Sequence, residues 1–176
     1  MLPPDYICAL TVDLRSPDIL RVVRVGQKAF CSLPTLLEKC LERGWRVVVQ
    51  TASEERVDAL DAHLWTFRDE SFLPHGTWRE PAASEQPILL TVQGDNPSGA
   101  DVRFLIEGAP LPQDITEYRR VVILFDGDDA DAMMKARERW FECKTLGLEA
   151  TCWEPDARGR WQRVEHLGAA EPATTH

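Results

Sequence analysis

Blocks of apolar and polar positions follow one another along the chain in an order that predicts helices and strands in turn. Leucines recur at helical spacing from residue 33 to 41, and we expect Ser32 to cap this helix and Gly44 to end it. We predict a strand at residues 45–51, which contain the valine run 47–49, and we expect Ser53 to cap the helix that follows it. The apolar positions of that second helix are Val57, Leu60, Leu64 and Trp65.

The second half of the chain continues this alternation after a polar loop at residues 77–86. We predict one long helix over residues 128–146, and strands at residues 87–92, 102–106, 119–125, 148–153 and 159–164. Uninterrupted β-branched runs such as residues 47–49 are typical of strands that are covered on both faces. The pattern therefore predicts an α/β, Rossmann-like three-layer domain, in which a mostly parallel central sheet carries helices on both faces.

The two ends of the chain depart from this pattern. Either residues 6–12 or residues 20–25 form a strand, and the sequence alone does not decide between them. We therefore treat residues 1–31 as an atypical N-terminal segment and residues 32–167 as the α/β domain. Residues 168–176 are rich in Ala, Pro and Thr, which predicts a disordered tail.

The composition is that of an ordinary globular domain. Of the 176 residues, 44% are hydrophobic and 28% are charged, which argues against a disordered, collagen-like or coiled-coil chain. The formal net charge of −9 excludes general binding to phosphate backbones, because that binding requires many Lys and Arg. No apolar stretch approaches the roughly 20 residues that span a bilayer, and no signal peptide is visible. We therefore expect a cytoplasmic protein without a membrane partner.

Residues that commonly hold metals or cofactors are few and scattered. The five cysteines include no C-x-x-C pair, and the four histidines lack metal-binding spacing. Neither of the phosphate-binding patterns G-x-G-x-x-G and G-x-x-x-x-G-K-[ST] occurs, nor does the nucleophile pattern G-x-S-x-G. We therefore expect no metal, no cofactor and no nucleotide-binding loop, and cysteines that stay reduced.

The helix at residues 128–146 presents two kinds of side chain. One side, which we expect to pack on the sheet, consists of Ala132, Ala136, Cys143 and Leu146. A second side mixes bases with apolar groups and consists of Met133, Arg137, Trp140 and Lys144. This second side is either the edge of the core, a groove for an acidic peptide with an apolar end, or a platform for single-stranded nucleic acid.

Acidic residues stand just before this helix, where a predicted strand ends. Asp126, Asp128 and Asp129 would suit Mg²⁺ in a phosphoryl-transfer enzyme or a nuclease. The alternative is structural, with Asp128 capping the helix and with Asp129 and Asp131 complementing its dipole. His75 lies in a turn that contains Pro and Gly, and it too is either a catalytic or a structural residue.

Several motifs occur together in an order that resembles one family. They are LLEKCLERGWRVVV at residues 36–49, LDAHLW at 60–65, ESFLPH at 70–75, ARERW at 136–140, and the segment from Gly147 to Trp153. In this order the motifs resemble the chi subunit of bacterial DNA polymerase III holoenzyme in its alphaproteobacterial form. The resemblance covers about residues 33–164.

The resemblance implies a non-enzymatic adaptor that works in DNA replication as a monomer within a hetero-complex. Chi subunits belong to the clamp-loader assembly and pair with the psi subunit where it exists. They contact DNA mainly through single-stranded-DNA-binding protein (SSB), whose acidic C-terminal tail ends in Ile-Pro-Phe. Transferred to this chain, the residues that bind this tail are Phe72, Met133, Arg137, Trp140, Phe141 and Lys144.

In this transferred site, Phe72 would contact the last Phe of the tail and Arg137 would hold its terminal carboxylate. Three positions depart from the better-known members of the family. Those members commonly carry Lys where this chain has Met133 and Phe141, and their strand before the helix ends in an apolar residue where this chain has Asp126. Because these changes make the site less positive, we expect weaker tail binding or a shift toward apolar contacts.

Overall fold

Strands and helices alternate along the described part of the chain. The computed structural model describes residues 20–25, 29–67, 72–106, 108–113, 115–126, 129–147, 150–155, 158 and 161–164. The strands are β1 (Leu20–Val25), β2 (Val47–Gln50), β3 (His75–Thr77), β4 (Ile88–Thr91), β5 (Val102–Ile106), β6 (Arg120–Asp126), β7 (Ala150–Pro155) and β8 (Trp161–Val164). The helices are α1 (Ala29–Glu42), α2 (Glu54–Thr66) and α3 (Ala130–Thr145), with 3₁₀ turns at Ala83–Glu85 and Ile115–Glu117.

One sheet contains all of these strands, in the order β3-β4-β2-β5-β6-β1-β7-β8. Its neighbouring strands are parallel except for the antiparallel pair of β7 and β8. Residues of α1 and α2 pack into a core on one face of the sheet, and residues of α3 pack into a second core on the other face. This confirms the predicted three-layer α/β fold with a mostly parallel sheet.

The run of valines in β2 shows why both cores form. Val47 and Val49 point into the core beneath α1 and α2, whereas Val48 points into the core beneath α3. Successive side chains of a strand alternate between the two faces, so a strand covered on both faces must be apolar throughout. All three valines are completely buried.

The N-terminal strand lies inside the sheet. Leu20–Val25 forms β1, which pairs with β6 on one side and β7 on the other. The folded region therefore begins no later than Leu20, upstream of the start that we predicted at residue 32. The competing strand at residues 6–12 and the predicted tail at residues 168–176 lie outside the described residues.

The predicted helix boundaries were right for α2 and wrong for the start of α1. Ser53 caps α2, since its hydroxyl accepts a hydrogen bond from the Arg56 amide at 3.4 Å. Helix α1 already begins at Ala29, so Ser32 is not its cap and Pro34 lies inside it. Pro34 is the sixth residue of α1, so it lacks the hydrogen bond to the carbonyl of residue 30 and its ring crowds that carbonyl. Burial of Leu33, Leu36 and Leu37 offsets this cost. We also missed the short strand β3.

Arg103 on β5 is a completely buried cation. Its Nε and Nη2 donate to Gln50 Oε1 at 3.0 and 2.7 Å, and its Nη1 donates to Asp95 O and Tyr118 Oη, both at 2.9 Å. Nη2 also donates to Gln93 O. Every guanidinium N–H thus meets a neutral acceptor. Burial lowers the pKa of Arg103 and raises the pKa of Tyr118.

We expect Arg103→Met to lower the free energy of unfolding by about 3 kcal/mol or more, because it leaves several buried acceptors without a donor. The exposed Arg119, whose guanidinium lies 5.7 Å from the centre of the Trp45 ring, is the matched control. Arg119→Met should cost less than about 1 kcal/mol. Urea denaturation of both variants measures these values, and equal losses would show that Arg103 has no special structural role.

Candidate functional site

The N-terminus of α3 is capped by a carboxylate. Asp129 Oδ1 accepts hydrogen bonds from the amides of Asp131 at 2.9 Å and Ala132 at 3.2 Å. The cap is therefore Asp129, whereas the sequence indicated Asp128. The side chain of Asp126 and all of Asp128 lie outside the described residues. Within the described part, no group of three or more metal-ligating side chains occurs.

One side of α3 is anchored in the core. Ala136, Trp140 and Cys143 are buried there, and burial raises the pKa of the Cys143 thiol to about 12. Ala132 is half-buried beside them. The expectation that Leu146 packs on the sheet was wrong, since its side chain is 62% exposed. Leu146 follows the last helical residue, so helical spacing no longer sets the direction of its side chain.

A strip of exposed groups runs along α3 beside this anchored side. Met134 is 57% exposed and Phe141 is 61% exposed, and the half-buried Arg137 lies between them at spacings of three and four residues. We call these three residues the α3 strip. The half-buried Met133 packs against the core, and the rings of Trp140 and Phe141 lie 5.4 Å apart. The strip thus combines one cation with two apolar groups on a helix whose other side is buried in the core.

A second aromatic surface is formed by Trp65 and Phe72. Trp65 is in the last turn of α2 and is 58% exposed, while Phe72 precedes β3 and is 70% exposed. Their ring centres are 6.0 Å apart, and the ring of the buried His75 lies 4.8 Å from that of Trp65. Leu73 is buried in the core beneath α1 and α2, which anchors this segment. We call this pair the Trp65–Phe72 surface.

The α3 strip and the Trp65–Phe72 surface lie on opposite faces of the sheet. Strands β4, β2 and β5 separate β3 from β6, so β3 lies about 19 Å from the strand that precedes α3. The resemblance implied that Phe72, Arg137 and Trp140 belong to one site. The structure places Phe72 on the opposite face of the sheet from the other two. Lys144 belongs to α3, but its side chain lies outside the described residues.

Two functional candidates were not apparent from the sequence. The sequence named Trp65 among the apolar positions of α2, and of these Val57, Leu60 and Leu64 are buried whereas Trp65 is exposed. Met134 stands next to Met133 and was not assigned to either side of α3. Its spacing from Arg137 and Phe141 was the signal that could have identified it.

None of the helices in the described part of the chain has the length and apolar character needed to cross a membrane. The comparisons with known proteins agree on one family. The family model "DNA polymerase III chi subunit, HolC" matches residues 25–151, a range that contains both the α3 strip and the Trp65–Phe72 surface.

Two curated relatives carry the same designation. The probable DNA polymerase III subunit chi of Rickettsia prowazekii is 30% identical over 97 residues, which are 52% of this chain and 59% of that protein. The DNA polymerase III subunit chi of Pseudomonas aeruginosa is 40% identical over 55 residues, which are 31% of this chain and 37% of that protein. The matches thus cover less than two thirds of each relative. Because the family model spans most of the chain, this chain belongs to the DNA polymerase III chi subunit family.

Proposed function

We propose that this chain is a non-enzymatic adaptor of the DNA polymerase III assembly that binds the acidic C-terminal tail of SSB on the α3 strip. The observation that carries the proposal is the position of Arg137 between the exposed Met134 and Phe141. Because Trp140 and Cys143 fix the other side of α3 in the core, the backbone of the strip is already ordered before a partner binds.

The chemistry of the strip suits a peptide that ends in an aromatic residue. A guanidinium can hold a terminal carboxylate through two parallel hydrogen bonds, which a lysine cannot do. A terminal Phe side chain would pack on Phe141 and Met134, since aromatic and thioether groups attract each other. The tail aspartates would remain near solvent, where Lys144 is our proposed contact.

Binding should be modest and sensitive to salt. The net charge of −9 repels an acidic tail, and Glu138 directly follows Arg137. Exposed ion pairs contribute little and are screened at physiological ionic strength. The apolar contacts of Met134 and Phe141 would therefore supply a larger share of the affinity.

The Trp65–Phe72 surface is our proposed contact with the clamp-loader assembly, including a psi subunit where one exists. Two large aromatic side chains exposed side by side are typical of the centre of a protein interface. Since this surface and the α3 strip lie on opposite faces, one partner would leave the other site accessible. This arrangement is what a link between SSB and the polymerase assembly requires.

The alternative, a Mg²⁺-dependent phosphoryl-transfer enzyme or nuclease, would depend on Asp126, Asp128 and Asp129. Asp129 Oδ1 already accepts two amide hydrogen bonds from the first turn of α3. A carboxylate oxygen engaged in this way caps the helix, so the geometry favours the structural role of this residue. The adaptor role therefore has the better support.

We expect Arg137→Ala to weaken binding of an acidic peptide ending in Ile-Pro-Phe at least about tenfold, because the terminal carboxylate loses its cation. Fluorescence anisotropy with a labelled peptide measures this change. Arg139→Ala is the matched control, since Arg139 is not part of the α3 strip. Its guanidinium pairs with the carboxylate of Glu142 at 3.3 Å. A peptide with an amidated C-terminus should bind wild type and Arg137→Ala alike. Equal affinity of both proteins for the free-acid peptide would refute the site.

We expect Phe141→Ala and Trp140→Ala to have different consequences although the residues are adjacent. Phe141→Ala should weaken tail binding about fivefold and change the free energy of unfolding by less than about 0.5 kcal/mol, because Phe141 is exposed. Trp140→Ala should cost about 3–5 kcal/mol of stability, because Trp140 is in the core. Chemical denaturation and the same peptide titration test both statements. A large stability loss for Phe141→Ala would contradict this division.

We expect the double variant Trp65→Ala, Phe72→Ala to lose binding to a purified clamp-loader complex that lacks its own chi subunit, while its affinity for the tail peptide stays unchanged. The physical reason is that two exposed aromatic anchors are removed from the face opposite α3. Surface plasmon resonance with immobilised clamp loader measures the first affinity and anisotropy measures the second. A parallel loss of both affinities would indicate a single continuous site.

A further inference from the structure

The α3 strip carries side chains of the kinds that would also suit single-stranded nucleic acid. A guanidinium such as that of Arg137 attracts phosphate groups, and an exposed aromatic ring such as that of Phe141 can stack on bases. Single-stranded DNA bound at the strip would compete with the peptide tail for the same groups. Selectivity for the peptide therefore requires a feature of the chain that repels the nucleic acid.

Glu138 borders the apolar residues of the strip on the side away from Arg137. Successive residues of a helix are about 100° apart, which places Phe141 and Met134 in the sector between Arg137 and Glu138. Glu138 is exposed, and it is three residues from Phe141 and four from Met134, the spacings at which helical side chains are neighbours. The apolar pair thus has a cation on one side and a carboxylate on the other.

The cations Lys135 and Arg139, which are close to Glu138 in the sequence, contact other groups. A Cβ atom on Gly108 would lie 2.9 Å from Lys135 Cδ, so the side chain of Lys135 covers the loop that follows β5. The guanidinium of Arg139 pairs with Glu142 at 3.3 Å. In the part of the chain that the structure describes, no ion pair neutralises the carboxylate of Glu138.

A carboxylate in this position distinguishes the end of a peptide from a continuous polyanion. The terminal carboxylate of a peptide is one charge, which Arg137 can hold while the preceding residues leave on the side away from Glu138. A nucleic-acid strand carries a phosphate at every nucleotide, so a strand that crosses the apolar pair passes Glu138 as well as Arg137. The exposed Asp131, about two turns before Glu138 on the same side, repels a strand that runs along the helix.

This repulsion is local and does not follow from the net charge alone. Exposed charges are screened over about 8 Å at physiological ionic strength. The net charge of −9 is distributed over the whole chain, whereas Glu138 is adjacent to all three residues of the strip. A change at Glu138 should therefore affect nucleic-acid binding at the strip more than the same change at an exposed acidic residue elsewhere.

We propose that Glu138 is a specificity-determining residue of the α3 strip: it repels the phosphates of single-stranded DNA from Arg137 and Phe141 and so reserves the strip for the carboxyl end of a peptide. This inference rests on the proposed binding of the SSB tail to the strip. It gives Glu138 the role of excluding a competing ligand, which contributes to specificity as much as the contacts to the correct ligand do.

Anisotropy of a labelled oligothymidylate at low ionic strength tests the exclusion. Glu55 is exposed in the first turn of α2, on the opposite face of the sheet, so Glu55→Lys changes the net charge equally but away from the strip. Glu138→Lys should bind the oligonucleotide at least about fivefold more tightly than Glu55→Lys does. Equal affinities of the two variants would overturn the proposal.

A second change determines where the DNA binds. The double variant Glu138→Lys, Arg137→Ala should lose the gained affinity for the oligonucleotide, because the strip then lacks its guanidinium. If the double variant keeps that affinity, the DNA binds outside the strip and the proposal is wrong.

The tail peptide shows whether Glu138 acts on selectivity. Glu138→Lys should strengthen binding of the peptide ending in Ile-Pro-Phe by about twofold or less, because its terminal carboxylate is held on the side of Arg137. An equal gain for peptide and oligonucleotide would overturn the role in selectivity. Failure of the wild type to bind the peptide would refute the proposed function instead, and the oligonucleotide affinities would still decide whether Glu138 repels DNA.

Discussion

The buried guanidinium of Arg103 is the constraint on which the core beneath α3 depends. It joins the end of β2, through Gln50, to the loop that follows β4, through the carbonyls of Gln93 and Asp95. It also holds the hydroxyl of Tyr118 just before β6. Neutral acceptors compensate for the desolvation of the charge only because all of them converge on one group. Arg103 therefore specifies how these segments meet, in a way that an apolar side chain could not.

Tyr118 links this constraint to the α3 strip. Its ring belongs to the same core as Ala136, Trp140 and Cys143, the anchored side of α3. A helix that is fixed on one side by a tryptophan and by small residues can carry exposed apolar groups on its neighbouring side without rotating to bury them. Phe141 is therefore exposed on a helix whose other side is fixed in the core, and not on a loosely attached one.

The local elements could be read from the sequence because local physics decides them. The valines of β2, the Ser53 cap and the apolar spacing of α3 each depend on neighbours within a few residues. Whether Phe72 lies near Arg137 could not be predicted from the sequence, because it depends on which face of the sheet each crossover takes. Helix α2 connects β2 to β3, toward the β3 edge of the sheet, whereas α3 connects β6 to β7, toward the β8 edge. Because both crossovers are right-handed, the two helices lie on opposite faces. Helical spacing groups Trp65 with the apolar positions of α2, but it does not tell how wide the buried side of that helix is.

The acidity of the chain restricts how the proposed recognition of an acidic tail can work. A net charge of −9 produces a long-range repulsion that one arginine cannot reverse, so electrostatic attraction cannot steer the tail to α3 from a distance. Recognition must then come from contacts of short range, in which a guanidinium meets one carboxylate while apolar groups exclude water around it. The exposed Met134 and Phe141, on either side of Arg137, fit this requirement. Salt screens the repulsion as well as the ion pair, so added salt should weaken binding less here than in a family member with additional lysines.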